Sequence, residues 1–131
     1  MKLVSLVFLG LFAMLFGGCQ KDDARLTVSE MLVNKRWYLE KRVIQADNNT
    51  TTYNYLGLPS YYFFLQDKFS DSDGYSGTYL IEELSNETFL QLQPEQRTAE
   101  RYRILHVGVN YLVVDFAINS ATHTLYFSTR L

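Results

Sequence analysis

Two hydrophobic patterns divide this chain. Leu3 to Phe16 is one apolar run broken only by Ser5 and Gly10, while the remainder alternates apolar and polar residues in short stretches. Alternation with a period of two buries one face of a strand and wets the other. Residues 36–46 follow it, with Trp37, Leu39 and Val43 on one side and Tyr38, Glu40 and Arg42 on the other, though Lys41 falls in the inner row. Residues 61–66, 78–84, 88–93, 99–107, 111–117 and 122–130 read as further strands, and Asp67-Lys68-Phe69 as a turn into a short continuation. In residues 99–107, Tyr102 and Ile104 share a face opposite Arg101 and Arg103; in residues 111–117, Leu112, Val114 and Phe116 alternate. Polar clusters at residues 70–77, 85–87, 108–110 and 119–121 mark turns.

Ahead of these strands, residues 24–33 predict one or two helical turns. Thr27 or Ser29 would cap them, and Glu30 stands three residues after Thr27 as a capping box requires. Residues 47–59 read as a loop of about a dozen residues, a length typical of lids. The sum is seven or eight strands spaced about 8–12 residues apart with no helical period between them. That predicts an all-β fold, an antiparallel meander closed as a barrel or split as a sandwich. Closure is favoured because an open meander of this length leaves two exposed edges.

Composition agrees. The chain holds 10 Tyr, 9 Phe and 1 Trp, and three of these rings (Phe8, Phe12 and Phe16) lie in the first apolar run. Tyrosine and phenylalanine favour pleated, half-buried surfaces. The first run is too short to span a bilayer, which takes about 20 apolar residues, but suits the core of a secretory signal. Small residues Gly17 and Gly18 mark its end. Cleavage after residue 18 leaves 113 residues, one domain's worth, able to bury roughly two thirds of its unfolded surface. Lys2 leaves with the signal, so 11 basic residues face 14 acidic ones for a net charge of −3, which gives no footprint for nucleic acid. Arg97, Arg101 and Arg103 cluster, but Glu95 and Glu100 sit among them, as on a solvated strand face.

An apolar run ending at Phe16-Gly17-Gly18-Cys19 resembles the bacterial lipoprotein signal. On that resemblance Cys19, the single cysteine, becomes the mature N-terminus and carries acyl chains that hold the domain on a membrane. Each buried CH₂ contributes about 0.8 kcal/mol, so several chains anchor stably where one does not. Gln20-Lys21-Asp22-Asp23 is similar to the short acidic export tag of surface lipoproteins in Bacteroidota-type bacteria, and equally a charged tether. The resemblance implies an outer-membrane, lipid-anchored protein displayed at the cell surface. Residues 1–18 then form the signal, 19–29 the acylated cysteine and tether, and 30–131 the folded domain.

The domain itself resembles the lipocalin-like group over about residues 30–131. The resemblance rests on a helical turn feeding Lys35-Arg36-Trp37, the long loop after the first strand, and the ending Phe127-Ser128-Thr129-Arg130. Trp37 matches the tryptophan that opens the first lipocalin strand, while Lys35 replaces the glycine found two residues before it. Arg130 is the candidate for the late arginine laid across that ring, a contact of about 0.5–2 kcal/mol.

Catalytic and metal patterns are sparse. His106 reads as a strand histidine near a rim, and His123 as exposed in the last hairpin. No His-x-Glu or His-Glu-x-x-His spacing occurs, and the one cysteine is taken by lipid, which argues against zinc and against nucleophilic catalysis. Asp71-Ser72-Asp73-Gly74 carries half of a calcium-loop pattern without its bidentate glutamate and otherwise reads as a turn. No cofactor is implied. Two functions remain. One is binding of a small apolar or aromatic ligand inside the barrel, with Tyr53 and Tyr55 on a lid and Phe63, Tyr79 and Tyr102 among the inward rings. Six such rings (Trp37, Phe116 and Phe127 complete the set) leave an eight-stranded barrel little room. The other is a non-enzymatic accessory subunit docked on an outer-membrane or surface assembly, with Tyr38, Tyr62, Tyr111 and Tyr126 on the outer face.

Overall fold

The computed structural model describes residues 25–130; the expected signal, Cys19 and Gln20-Lys21-Asp22-Asp23 lie outside the described residues. The chain begins with a single turn of helix, α1 (Val28–Leu32). Its start is fixed by the capping box read from the sequence: the Glu30 N–H donates to Thr27 Oγ1 at 3.2 Å, and the Thr27 N–H donates to Glu30 Oε2 at 2.7 Å. Two otherwise unpaired amides are thereby satisfied. Accepting these bonds holds the Glu30 carboxyl below its usual range, the backbone bond from Thr27 contributing most.

Eight strands follow: β1 (Arg36–Ala46), β2 (Asn49–Phe63), β3 (Lys68–Asp71), β4 (Ser76–Leu84), β5 (Glu87–Pro94), β6 (Glu100–Val107), β7 (Tyr111–Ile118) and β8 (Ala121–Ser128). Each pairs antiparallel with the next, and β8 returns to β1 to close a barrel. The all-β meander and its closure are therefore as the strand spacing predicts. Of the two closing possibilities, the chain adopts the barrel.

The reading of residues 47–59 is corrected. They form a two-residue turn, Asp47-Asn48, followed by most of β2, paired with β1 from Ala46↔Asn49 to Lys41↔Asn54. Asp47 takes the turn at φ 52°, a conformation that Asp and Asn tolerate better than other residues with side chains. Thr50, Thr51, Thr52 and Tyr53 suit a strand. Both faces of this segment are largely wet, so its sequence carries no alternation by which to recognise it.

The side chains of β1 are also re-sorted. The register with β8 slips between Leu39 and Lys41, leaving Glu40 as a β-bulge. Before it, Trp37 and Leu39 face inward; after it, Arg42 lies opposite Leu125 and Ile44 opposite buried His123, so the inner row continues through Arg42 and Ile44 rather than Val43. The extra residue turns Lys41 outward, its ammonium 4.3 Å from the Tyr126 ring centroid, and spares the core an unpaired charge. A second slip, between Ile104 and His106, turns His106 outward in the same manner.

The interior is apolar and ring-rich. Trp37, Phe63, Tyr79 and Phe127 are buried, and Tyr102 and Phe116 pack against them, so all six rings expected to point inward do so. Phe63 meets Tyr79 edge-on at 5.0 Å, and Tyr102 meets Phe116 edge-on at 5.4 Å. Gly77 is obligatory where β4 crosses β5, because a Cβ there would lie 2.1 Å from the Gln93 carbonyl oxygen.

Successive strands alternate in direction, so the turns fall at two ends. The lower end holds α1 and the turns at residues 64–67, 85–86 and 108–110; the upper end holds those at 47–48, 72–75, 95–99 and 119–120. The lower end is sealed by Trp37, which is 0 % exposed and donates its indole N–H to the Leu32 carbonyl at 3.0 Å. Leu32, equally buried, seats the helical turn on the ring. The cation above Trp37 is Lys35, with Nζ 5.7 Å from the ring centroid, and Arg130, the expected one, is an exposed residue beyond β8.

Truncating the seal as Trp37→Ala is expected to cost about 3–5 kcal/mol, measured by denaturant unfolding. In the opposite direction, Ser120 sits at φ 67° in the last hairpin turn, beside Asn119 at φ 48°. Two such residues form the turn type that favours Asn-Gly. Ser120→Gly is therefore expected to raise stability by a few tenths to about 1 kcal/mol in the same measurement.

Candidate functional site

With the lower end sealed, ligand access would be from above or from the side. The cavity inside the barrel, lined by Trp37, Phe63, Tyr61 and Tyr102 among others, measures about 20 Å³. That is room for about one water, whereas pockets for small molecules run to about 300–1,000 Å³. The wider hollows lie on the outer wall. A shallow open groove of about 650 Å³ runs across β3, β4 and the end of β5, past Phe64, Lys68 and Pro94.

The polar groups gather at the upper end. In the turn after β3, the Asp71 carboxylate is buried and accepts the N–H groups of Asp73 at 3.0 Å and Tyr75 at 2.9 Å. Its second oxygen takes Arg97 at 3.2 Å. Asp71-Ser72-Asp73-Gly74 is thus a turn held by its own aspartate and neutralised by an arginine, not a cradle of converging oxygens. Arg97 also lies 3.7 Å from Glu100, whose other oxygen accepts the Tyr102 hydroxyl at 2.7 Å. Tyr61 lies under these carboxylates. Burial, and then the negative charges of Glu100 and Asp71, push its hydroxyl up to about 12. Burial first, then neighbouring Tyr61 and the Glu100 carboxylate, carry Tyr102 well above the ordinary tyrosine range. Both stay protonated, Tyr102 as a donor to Glu100 and Tyr61 as a flat surface, rather than as bases.

Across the mouth lies a second group. Arg42 Nε donates to His123 Nδ1 at 3.0 Å, and His123 stacks on Phe116 with centroids 5.1 Å apart. The Arg42 guanidinium is 5.7 Å from the same Phe116 ring. A histidine accepting at Nδ1 is neutral and carries its proton on Nε2. Burial, and next the charge of Arg42, hold its pKa below the usual histidine value. His123 is 8 % exposed, not the exposed turn residue its position suggests.

The tyrosines read as a lid are strand residues. Tyr53 lies opposite Arg42 and is half exposed, while Tyr55 packs on the core. Phe63 and Tyr79 sit deep in the barrel, and Tyr79 donates its hydroxyl to the Phe64 carbonyl at 3.1 Å. The five residues expected to bind a ligand are therefore split between the mouth (Tyr53, Tyr55, Tyr102) and the filled interior (Phe63, Tyr79). Of the basic cluster, Arg103 bridges Asp115 at 2.6 Å and Glu87 at 3.0 Å, and Arg101 lies 4.0 Å over Phe89. These pairs occupy the outer wall, as the solvated-face reading expects.

One feature of this end was hidden from sequence. β3 pairs only with Tyr61, Tyr62 and Phe63 of β2, so residues 49–59 of β2 have no strand on their far side among the described residues. That free edge carries the exposed side chains of Tyr53, Leu56 and Leu58, with Leu56 98 % exposed. The chain matches no protein-family model, no curated protein and no solved structure.

His123 predicts a pH dependence. Its pKa in the fold lies below its unfolded value of about 6.5, so the unfolded chain binds the extra proton first. Stability from this group is fully present above that value and is lost as pH falls toward the lowered pKa. The stability gap between the parent and His123→Asn, from denaturant midpoints at several pH values, is expected to close on acidification; a gap independent of pH would remove His123 from the balance.

Proposed function

We propose that this chain is a membrane-tethered, non-enzymatic accessory module that works by surface contact with a protein partner in an outer-membrane or cell-surface assembly. The observation carrying this reading is the free edge of β2. Unpaired N–H and C=O groups on a strand edge add a strand from another chain, and neighbouring side chains supply the selectivity. Leu56 and Leu58, exposed beside that edge, are a cost to an isolated molecule and an asset to a docked one. The tether is argued from the apolar run ending at Gly17-Gly18-Cys19 and from the charged Gln20-Lys21-Asp22-Asp23 behind it. Display at the cell surface follows from the same resemblance. The fold supports the module reading because an interior of about 20 Å³ offers no store for cargo.

A second reading is favoured by the mouth. Tyr53, Tyr55, Tyr61, Tyr102 and Phe116 gather flat apolar area around a half-buried cation, Arg42, between neutral and acidic neighbours. A small aromatic or apolar ligand would lie across this surface rather than inside the barrel, in a shallow form of the lipocalin-like role.

Leu56→Asp and Leu58→Asp touch exposed positions, and each is expected to change stability by less than about 0.5 kcal/mol. In extracts from native membranes they are expected to abolish recovery of a co-purifying membrane protein that the parent retains. Retention by both variants would end the edge reading. An apolar and aromatic probe library tests the second reading: a bound probe at a hundred times its dissociation constant adds about 2.7 kcal/mol to unfolding.

A further inference from the structure

The two ends of the barrel differ in the chemistry of their turns. At the upper end the turns at residues 47–48, 72–75, 95–99 and 119–120 carry no exposed large apolar side chain. At the lower end every hairpin carries an exposed apolar side chain. Leu65, 71 % exposed, stands beside exposed Phe64 between β2 and β3; Leu84, 50 % exposed, precedes the turn between β4 and β5; Val109, 55 % exposed, tops the turn between β6 and β7. Leu26, ahead of α1, is exposed at the same end. These groups surround the barrel instead of lining one side of it. They sit on well-held turns: the Phe64 N–H donates to the Lys68 carbonyl at 2.8 Å, and Lys35 Nζ donates to the Val109 carbonyl at 2.9 Å.

None of these side chains belongs to the buried core. Trp37 and Leu32 already close this end. A ring of isolated apolar tips is poorly suited to gripping a protein groove but well suited to a soft, flat, apolar boundary. The chain outside the structure says which boundary. The described residues begin at Arg25, on this end, and Cys19 lies six residues earlier. Six residues reach at most about 20 Å when extended. An acylated Cys19 would hold this end, and no other, against the bilayer. The charges here are mixed, with Lys35, Lys68 and Arg130 set against Glu30, Asp67 and Glu87, so attraction to anionic headgroups is not the main term. Tyr53, Leu56, Leu58 and Ile118, exposed toward the upper end, lie along strands rather than on turn tips.

We infer that the lower rim is a membrane-contact surface: Leu65, Phe64, Leu84 and Val109 enter the headgroup–acyl boundary and stand the barrel upright on its tether. This rests on the anchoring proposed above. It deepens that reading by fixing which end meets lipid and by turning the mouth and the free edge of β2 away from it.

The test uses the full chain processed in its native membrane, purified, and reconstituted into phosphatidylcholine vesicles with brominated acyl chains. The mass of the mature N-terminus is read first, and an unmodified Cys19 removes the anchor and this inference with it. On acylated protein, Leu65→Trp and Val109→Trp report the rim, Gln96→Trp reports the upper end, and the parent spectrum supplies the Trp37 baseline. The rim tryptophans are expected to emit further to the blue and to be quenched by the bromines, unchanged by added salt, while position 96 is unquenched. Two exposed rim positions are used so that misfolding of one variant does not decide the outcome. Equal, solvent-like emission at all three positions on acylated protein would overturn the rim contact and leave the anchor standing. Quenching at position 96 alone would reverse the orientation and also overturn it.

Discussion

The seal at the lower end is the constraint on which the rest depends. A barrel of eight strands has two open ends, and its first strand must enter one of them. Here the entering chain supplies the stopper. The Trp37 ring fills the end, its N–H takes the carbonyl that closes α1, and Leu32 packs behind it without exposure. An indole N–H buried without a partner would cost about 1–3 kcal/mol, so the helical turn is needed as an acceptor as much as for its apolar face. Lys35 then joins this seal to the turn at Val109, tying the start of β1 to the hairpin of β6 and β7.

The filled interior follows from the same economy. Six large rings and a layer of leucines support strands that carry few prolines and no disulfide. Function is thereby moved to the ends and edges. The upper end gathers buried Asp71 with Arg97 and Glu100, and half-buried Arg42 on His123, while the lower end is apolar at its tips. A molecule so divided has a top and a bottom, although its barrel wall is much alike all round.

Much of the fold was legible because strand pattern and turn chemistry agree locally. The capping box at Thr27 and Glu30, the turns at Ser85-Asn86 and Asn119-Ser120, and the alternating Leu112, Val114 and Phe116 each state one structure without reference to the rest. What failed did so for physical reasons. Residues 49–54 have no buried face to impose a period, so the start of a long strand looked like a loop. Arg42 was misplaced because one inserted residue reverses the parity of everything behind it, and His123 because β8 begins at Ala121 and already has an inward row where the sequence suggests a turn. Lys41, an ammonium in the inner row, was the trace of that insertion. The pairing of Asp71 with Arg97 joins residues 26 apart in sequence through the alignment of β3, β4 and β5, and no local pattern encodes it.

The bulge at Glu40 has an evolutionary side. Its side chain is exposed, and most replacements there would pass unnoticed. Loss of the residue altogether would leave the rows as they are, because Leu39 and Lys41 already face consecutive residues of β8, Phe127 and Tyr126. Keeping the residue while straightening the bulge is another matter: β1 would then present Lys41 and Val43 to the interior and send Arg42 and Ile44 to the surface, unmaking the mouth. Homologous chains that keep the upper-end chemistry should therefore carry one residue between the equivalents of Leu39 and Arg42, or two with a bulge.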